Sequence, residues 1–192
     1  MNKPNNYENT SSGNSDFTPV ALGPHYAIIK EVRETQSKSG LDMIVVYIDF
    51  DKVDEQAGYF AEQYRNDDRE DKKWPFQGTQ YVLSVGRDGS TTKAFKQFCS
   101  AWEASTGKEI QWGGAFCKQF KNTQIGVNFG EVEEEYQGKV KTRRRIRWFF
   151  DTHKFDGQTV PEKKELPGVK ETAPASNDWM NIPDGQDELP FR

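Results

Sequence analysis

Hydrophobic positions recur with two different periods between residues 24 and 150. From Tyr26 to Arg33, Tyr26, Ile28 and Lys30 alternate with Ala27, Ile29 and Glu31, and this period of two predicts a strand. A Ser-Lys-Ser-Gly turn at 37–40 leads into Leu41–Phe50 (LDMIVVYIDF). The density of β-branched residues there predicts a second, more buried strand, paired with the first as a hairpin. Residues 51–77 show no clear period, and a third strand follows at Thr79–Val85. The Arg-Asp-Gly-Ser turn at 87–90 is expected to cap a helix from Thr91 to Ser105, in which Ala94, Phe95, Phe98, Ala101 and Trp102 fall at helical spacing. Gly107 stands where a glycine commonly ends such a helix. Lys121–Val132 and Lys139–Phe150 read as a last hairpin around Gln137-Gly138.

On either side of this body the pattern stops. Residues 1–22, rich in Asn, Ser and Thr, read as a disordered leader, and residues 156–192 as a flexible acidic tail. The folded domain is therefore expected to span 23–155. Its order of strand, strand, strand, helix, strand, strand predicts a mainly β domain. The specific expectation is a five-stranded Greek-key barrel of the OB type, with one α-helix between strands 3 and 4.

Composition sharpens this division. Hydrophobic residues make up only 34% of the 192, and mean hydropathy is -0.91, yet aromatics reach 13%. A disordered chain does not carry so many rings, so a compact aromatic core with polar ends fits both facts. The net charge of -4 is localised: residues 156–192 hold eight acids against four bases, which leaves 22 of each in residues 1–155. A neutral body is compatible with an anionic ligand if its cations cluster. Cys99 and Cys117 are the two cysteines, and with His25 and His153 they show no paired metal-ligand spacing. There is no basic-then-apolar start and no apolar run long enough to span a bilayer, so a reducing cytoplasm is expected. Neither a metal nor a cofactor is expected.

The densest cationic stretch is 139–150, KVKTRRRIRWFF. On a strand, Lys139, Lys141, Arg143, Arg145, Arg147 and Phe149 would share one face, and Val140, Thr142, Arg144, Ile146, Trp148 and Phe150 the other. A stripe of cations that displaces phosphate counterions gives affinity for nucleic acid without reading its sequence. The competing reading is a solvated face paired with Glu131, Glu133, Glu134 and Glu135 on the neighbouring strand. The connector adds Tyr64, Arg65, Arg69, Lys72, Lys73, Trp74 and Phe76, with rings and cations interleaved. Single-strand binding uses such a mixture, since every base presents a π-face worth roughly 1–3 kcal/mol on an aromatic ring. Against this, Tyr64 and Trp74 would serve equally well to plug the open end of a barrel. The candidate DNA-binding residues are thus Tyr64, Arg65, Lys72, Lys73, Trp74, Lys141, Arg143, Arg145, Arg147 and Phe149.

The C-terminal Asp187-Glu188-Leu189-Pro190-Phe191 joins acids to a short apolar end beyond a Pro-, Lys- and Glu-rich linker. It reads as a linear motif whose ring enters a partner's pocket while the acids meet basic residues at the rim. Enzymatic signals are missing. Residues 85–93 (VGRDGSTTK) lack the glycine-lysine-hydroxyl order of a phosphate loop. The acids Asp67, Asp68, Glu70 and Asp71 are interrupted by Arg69 and followed by Lys72 and Lys73, which suits a solvated loop. The chain is read as non-catalytic.

Asp187–Phe191 resembles the acidic tip of bacterial single-stranded DNA-binding proteins, which engages replication and repair enzymes, although here Arg192 follows the phenylalanine. Over roughly residues 24–155 the chain is similar to a group of proteins from phages of Gram-positive hosts. The likeness rests on YRNDDREDKKWP at 64–75, FKQFCSAWEAS at 95–105 and EEEYQGK at 133–139. The resemblance implies an OB-fold protein of phage replication, recombination or repair. Taken with the residues, the expected function is binding of single-stranded DNA, with the tail recruiting replication or recombination proteins. The alternatives are an adaptor whose barrel binds protein alone, or an RNA-binding protein of the same fold. Edge strands leave homo-oligomerisation open.

Overall fold

The computed structural model describes residue 3, residues 7 and 8, and residues 18–167. The domain is mainly β, built on a five-stranded antiparallel open sheet. Its strands are β1 (Gly23–Gln36), β2 (Asp42–Phe50), β3 (Thr79–Leu83), β4 (Gln124–Tyr136) and β5 (Lys139–Phe150). Their spatial order is β3-β2-β1-β4-β5. Helix α1 (Tyr59–Arg65) lies between β2 and β3, and α2 (Lys93–Thr106) between β3 and β4.

Local chemistry explains the boundaries. The turn at 87–90 does not cap α2. Thr92 does, its hydroxyl accepting from the Phe95 amide at 3.1 Å, and Gly107 ends the helix in the left-handed region at φ 67°. Gln137 (φ 53°) and Gly138 (φ 71°) give the β4–β5 hairpin two successive left-handed residues, whose twist matches that of the paired strands. The start of α1 is held from below. The buried Asp49 carboxylate accepts from the amides of Phe50 and Phe60, each at 2.9 Å.

The core lies between the inner face of the sheet and α2, which packs on β4 and β5. Phe98 meets Phe120 and Phe149 there, and Trp102 donates to Thr123 Oγ1 at 2.8 Å. Cys99 and Cys117 are free thiols. Among the described residues no helix is long and apolar enough to cross a membrane.

The packed body extends past both expected limits. Val20, inside the expected leader, is fully buried. Its segment is tied down by His25 Nε2 donating to Ala21 O (3.0 Å), Tyr59 to Thr18 O (3.0 Å), and Arg144 to Val20 O. At the other end, Asn128 donates to Thr159 O at 3.0 Å, and Lys164 bridges in parallel to Val132. Residues 159–166 therefore brace the β4–β5 hairpin. Isolated apolar residues in polar surroundings carry no period, which is why neither segment announces itself in the sequence.

Two register shifts matter for the surface. One falls in β1 between Ile29 and Glu31. The other falls where Asn128 and Phe129 of β4 face Trp148 and Ile146 of β5, which leaves Arg147 as an extra residue. Such a bulge reverses which face the following side chains occupy.

Candidate nucleic-acid interface

The outer face of β1–β2–β3 carries the positions that alternate with the core. Val46 and Ile48 point inward while Tyr47 points out, and Tyr81 lies on the outer side of Val82. Arg33 sits opposite Val45 in the β1–β2 register, and Val45 in turn faces Tyr81. The Arg33 guanidinium lies 5.5 Å over the Tyr47 ring. Residues 64–76 form a wall above this floor and enclose a groove of about 790 Å³. Tyr64, Lys72, Lys73, Trp74 and Phe76 contribute to the wall, and Lys30 and Arg69 also face the groove.

Trp74 anchors the wall. Its indole donates to Ile48 O at 3.0 Å, and its ring lies 5.5 Å from Tyr64. Gly78 permits this approach, since a Cβ there would stand 2.9 Å from the indole nitrogen and 2.8 Å from the Phe60 ring. Beyond the anchor two rings stay open to solvent, Phe76 at 57% and Tyr81 at 51% exposure, with centroids 6.3 Å apart. Lys72 sits 5.2 Å over the Tyr64 ring.

The β5 cations behave differently. Arg145 makes a two-pronged pair with Glu134, with both contacts at 2.7 Å, and its side chain is only 15% exposed. Its guanidinium also lies 4.2 Å over Phe76, so the ring joins the cationic hairpin to the groove. Arg143 approaches the same Glu134 at 3.6 Å. The hydrogen bond from Arg145, with the charges of both arginines, holds the Glu134 carboxyl below its usual pKa. In the same way Arg33 lowers Glu31, and Arg69 lowers Asp67 to about 2.

Ten candidates are thus dispersed. Tyr64, Lys72, Lys73 and Trp74 meet in one groove, with Arg145 at its margin. Lys141 and Arg143 lie farther out on the exposed hairpin. Arg65 is exposed at the end of α1 and does not line the groove. Two expectations are corrected. Phe149 is no stacking platform: it is 4% exposed and meets Phe98 edge-on at 5.0 Å. Arg147 does not continue the stripe: it donates to Glu162 O at 2.7 Å, across the β4–β5 face. The bulge at Arg147 causes both, because simple alternation from Arg143 fails at that residue. The tip Asp187–Phe191 lies outside the described residues.

Compared with known proteins, the sequence matches no family model and no curated protein. The groove must therefore be judged by its own chemistry. It offers exposed π-faces beside fixed cations, a surface for a flat ring carrying an anionic linker. Among the described residues no three His, Cys, Asp or Glu side chains gather as metal ligands. Six aromatic and cationic residues of the groove are not among the ten candidates: Arg69 and Phe76, which belong to the ring-and-cation connector, and Lys30, Arg33, Tyr47 and Tyr81. Tyr47 and Tyr81 are detectable as aromatic residues at positions alternating with Val46, Ile48 and Val82. Lys30 and Arg33 need the register of β1.

Proposed function

We propose that the chain is a non-catalytic single-stranded DNA-binding protein acting in DNA replication, recombination or repair. The strand order β3-β2-β1-β4-β5, with α2 between β3 and β4, suits an OB-type barrel whose β3–β5 seam is left open. Across that seam the Phe76–Gly78 turn reaches β5, where Gln77 donates to Arg144 O at 3.5 Å. The observation that carries the reading is the exposed pair Phe76 and Tyr81 in a groove that Lys72 and Lys73 also line. Arg33 and Arg145 stand beside the pair, each paired with an acid, Glu31 and Glu134. Two unstacked bases would lie on the rings while their phosphates run along the cations. Such binding is indifferent to sequence and sensitive to salt. The acidic tail, in this reading, recruits replication or recombination proteins.

The test is a titration of the full chain with oligo-dT at low salt, followed by quenching of intrinsic fluorescence. Phe76→Ala with Tyr81→Ala is expected to weaken binding about a hundredfold, at roughly 1–3 kcal/mol per lost stack. No quenching by the wild type, or equal binding by the double variant, overturns the proposal. The pairing of Arg143 and Arg145 with Glu134 favours one second reading, an adaptor that binds protein and no nucleic acid. Absence of binding to oligo-dT, duplex and oligo-U alike would select it, and preference for oligo-U would select RNA.

A further inference from the structure

A second and larger groove, of about 1010 Å³, opens on the other side of the β1–β2 hairpin from the aromatic one. Arg33 faces the first groove and Glu34 the second, so neighbours on one strand serve different surfaces. The second groove runs between the far ends of β1 and β2 and the face of α2 that carries Phe95 and Cys99. Its third side is the segment 110–116. There the Trp112 ring stacks on Phe116, 5.3 Å between centroids and 9° between planes. Phe116, Phe95 and Ile110 are buried, whereas Trp112 stands 68% exposed on top of them. A large ring held on a rigid apolar base and left in water is the usual form of a protein-binding anchor.

The rim decides the occupant. Glu34, Asp42 and Glu103 line the groove, against one cation, Lys96. The Glu103 carboxylate is held in place by the Ile110 amide at 3.2 Å, and the Asp42 carboxylate by Gln36 at 3.1 Å. Such a rim repels phosphates. It also disfavours the chain's own residues 168–192, which carry five acids against two bases. We infer that this groove docks a partner protein through a segment that presents apolar anchors flanked by lysine or arginine. The apolar side chains cover Trp112 and Phe95, and the cations meet the three carboxylates. Because the two grooves lie on opposite sides of one hairpin, the chain can hold such a partner without vacating the aromatic groove. The inference does not depend on what that groove binds.

The probe is a fluorescently labelled, tryptophan-free peptide of leucine and lysine that forms a helix with all leucines on one side. A second peptide of the same pattern has glutamate for lysine. Binding to the full chain is read by anisotropy in the absence of nucleic acid. The lysine peptide is expected to bind, and Trp112→Ala to weaken it at least about tenfold. Glu34→Gln with Glu103→Gln is expected to weaken it about threefold to tenfold, and Phe76→Ala with Tyr81→Ala to leave it unchanged. Trp112 is largely exposed, so its removal leaves the core intact; the glutamate pair supplies an independent reading in any case. The inference is overturned if Trp112→Ala binds as the wild type does, since the peptide would then sit elsewhere, such as on the acidic tail. Equal binding of the glutamate peptide overturns it, as does no binding of the lysine peptide. A concentration-dependent dimer that Trp112→Ala abolishes also overturns it, and makes the occupant a second copy of this chain.

Discussion

The β5 strand and the 64–76 wall both attract notice as cationic, and the structure uses them in opposite ways. Strand β5 has six basic residues between Lys139 and Arg147. Among them Arg145 and Arg143 share Glu134, Arg147 is spent on Glu162 O, and Arg144 on Val20 O. The wall has Arg65, Arg69, Lys72 and Lys73, with four acids among them. Yet Lys72 and Lys73 face the groove beside open rings, while Asp67 turns to Arg69. A strand's cations are judged by the strand across from them. In this hairpin Glu131–Glu135 lie opposite, and Glu134 takes the two arginines Arg143 and Arg145. Phe76 stays 57% exposed even with Arg145 over its ring, and Tyr81 51%, so these rings mark the interface better than the arginines do.

Under the proposed function, the sharpest way to break this comparison is to remove charge from each region in turn. Lys72→Gln with Lys73→Gln should flatten the log–log salt dependence of oligo-dT binding by about 1.4, at roughly 0.7 per phosphate contact on a single strand. Arg143→Gln with Arg145→Gln should change that slope by less than half as much, because Glu134 already occupies those guanidinium groups. The measurement is the titration midpoint at several salt concentrations. If the arginine pair flattens the slope more than the lysine pair, β5 is the main phosphate track and the comparison is reversed.

Much of the fold is legible in the order of residues. Strand β1 alternates as far as its bulge at Ile29–Glu31, and β2 shows as a run of β-branched residues. Helix α2 keeps its Phe95, Phe98 and Trp102 stripe, and Gln137-Gly138 marks the last hairpin. What escapes is non-local. A bulge adds one residue without altering composition, so nothing in 139–150 shows that Arg147 breaks the stripe and turns Phe149 inward. The short α1 has one buried residue, Phe60, held by an acid eleven positions earlier in the chain. For the site, the wall residues Tyr64, Lys72, Lys73 and Trp74 stand out because rings and cations sit side by side in sequence. The floor residues Arg33, Tyr47 and Tyr81 come from three strands and meet only through their register.

The comparison is sharpened by changing the acid and leaving the cations alone. Glu134→Gln keeps the shape of the side chain but gives up the charge that holds Arg145 and Arg143. Because the Arg145 side chain is only 15% exposed, the fold of the variant is checked by its thermal unfolding midpoint before affinities are compared. Freed beside Phe76, Arg145 should then raise oligo-dT affinity about threefold, measured as above at low salt. A loss of affinity would mean that Glu134 positions Arg145 for the ligand and does not compete with it.

The smallest effect is a matter of pH, and it isolates the same carboxylate. Arg145 and Arg143 keep the Glu134 carboxyl below its usual pKa, so at neutral pH it is ionised and holds them. As the pH falls through that depressed value, Glu134 takes up a proton and the pairing is lost. Wild-type affinity should therefore climb toward that of Glu134→Gln, and the threefold gap should close from the wild-type side. Glu31 and Asp67 are also held low, but they are present in both proteins and cancel from the difference. The check is oligo-dT affinity of both proteins from pH 7 down to the limit at which each stays folded by circular dichroism. A gap that stays constant while the wild type gains affinity would assign the gain to the acids paired at the groove, Glu31 beside Arg33 and Asp67 beside Arg69. The groove itself, in that case, would hold the acids that restrain binding, and the β5 hairpin would be a structural brace.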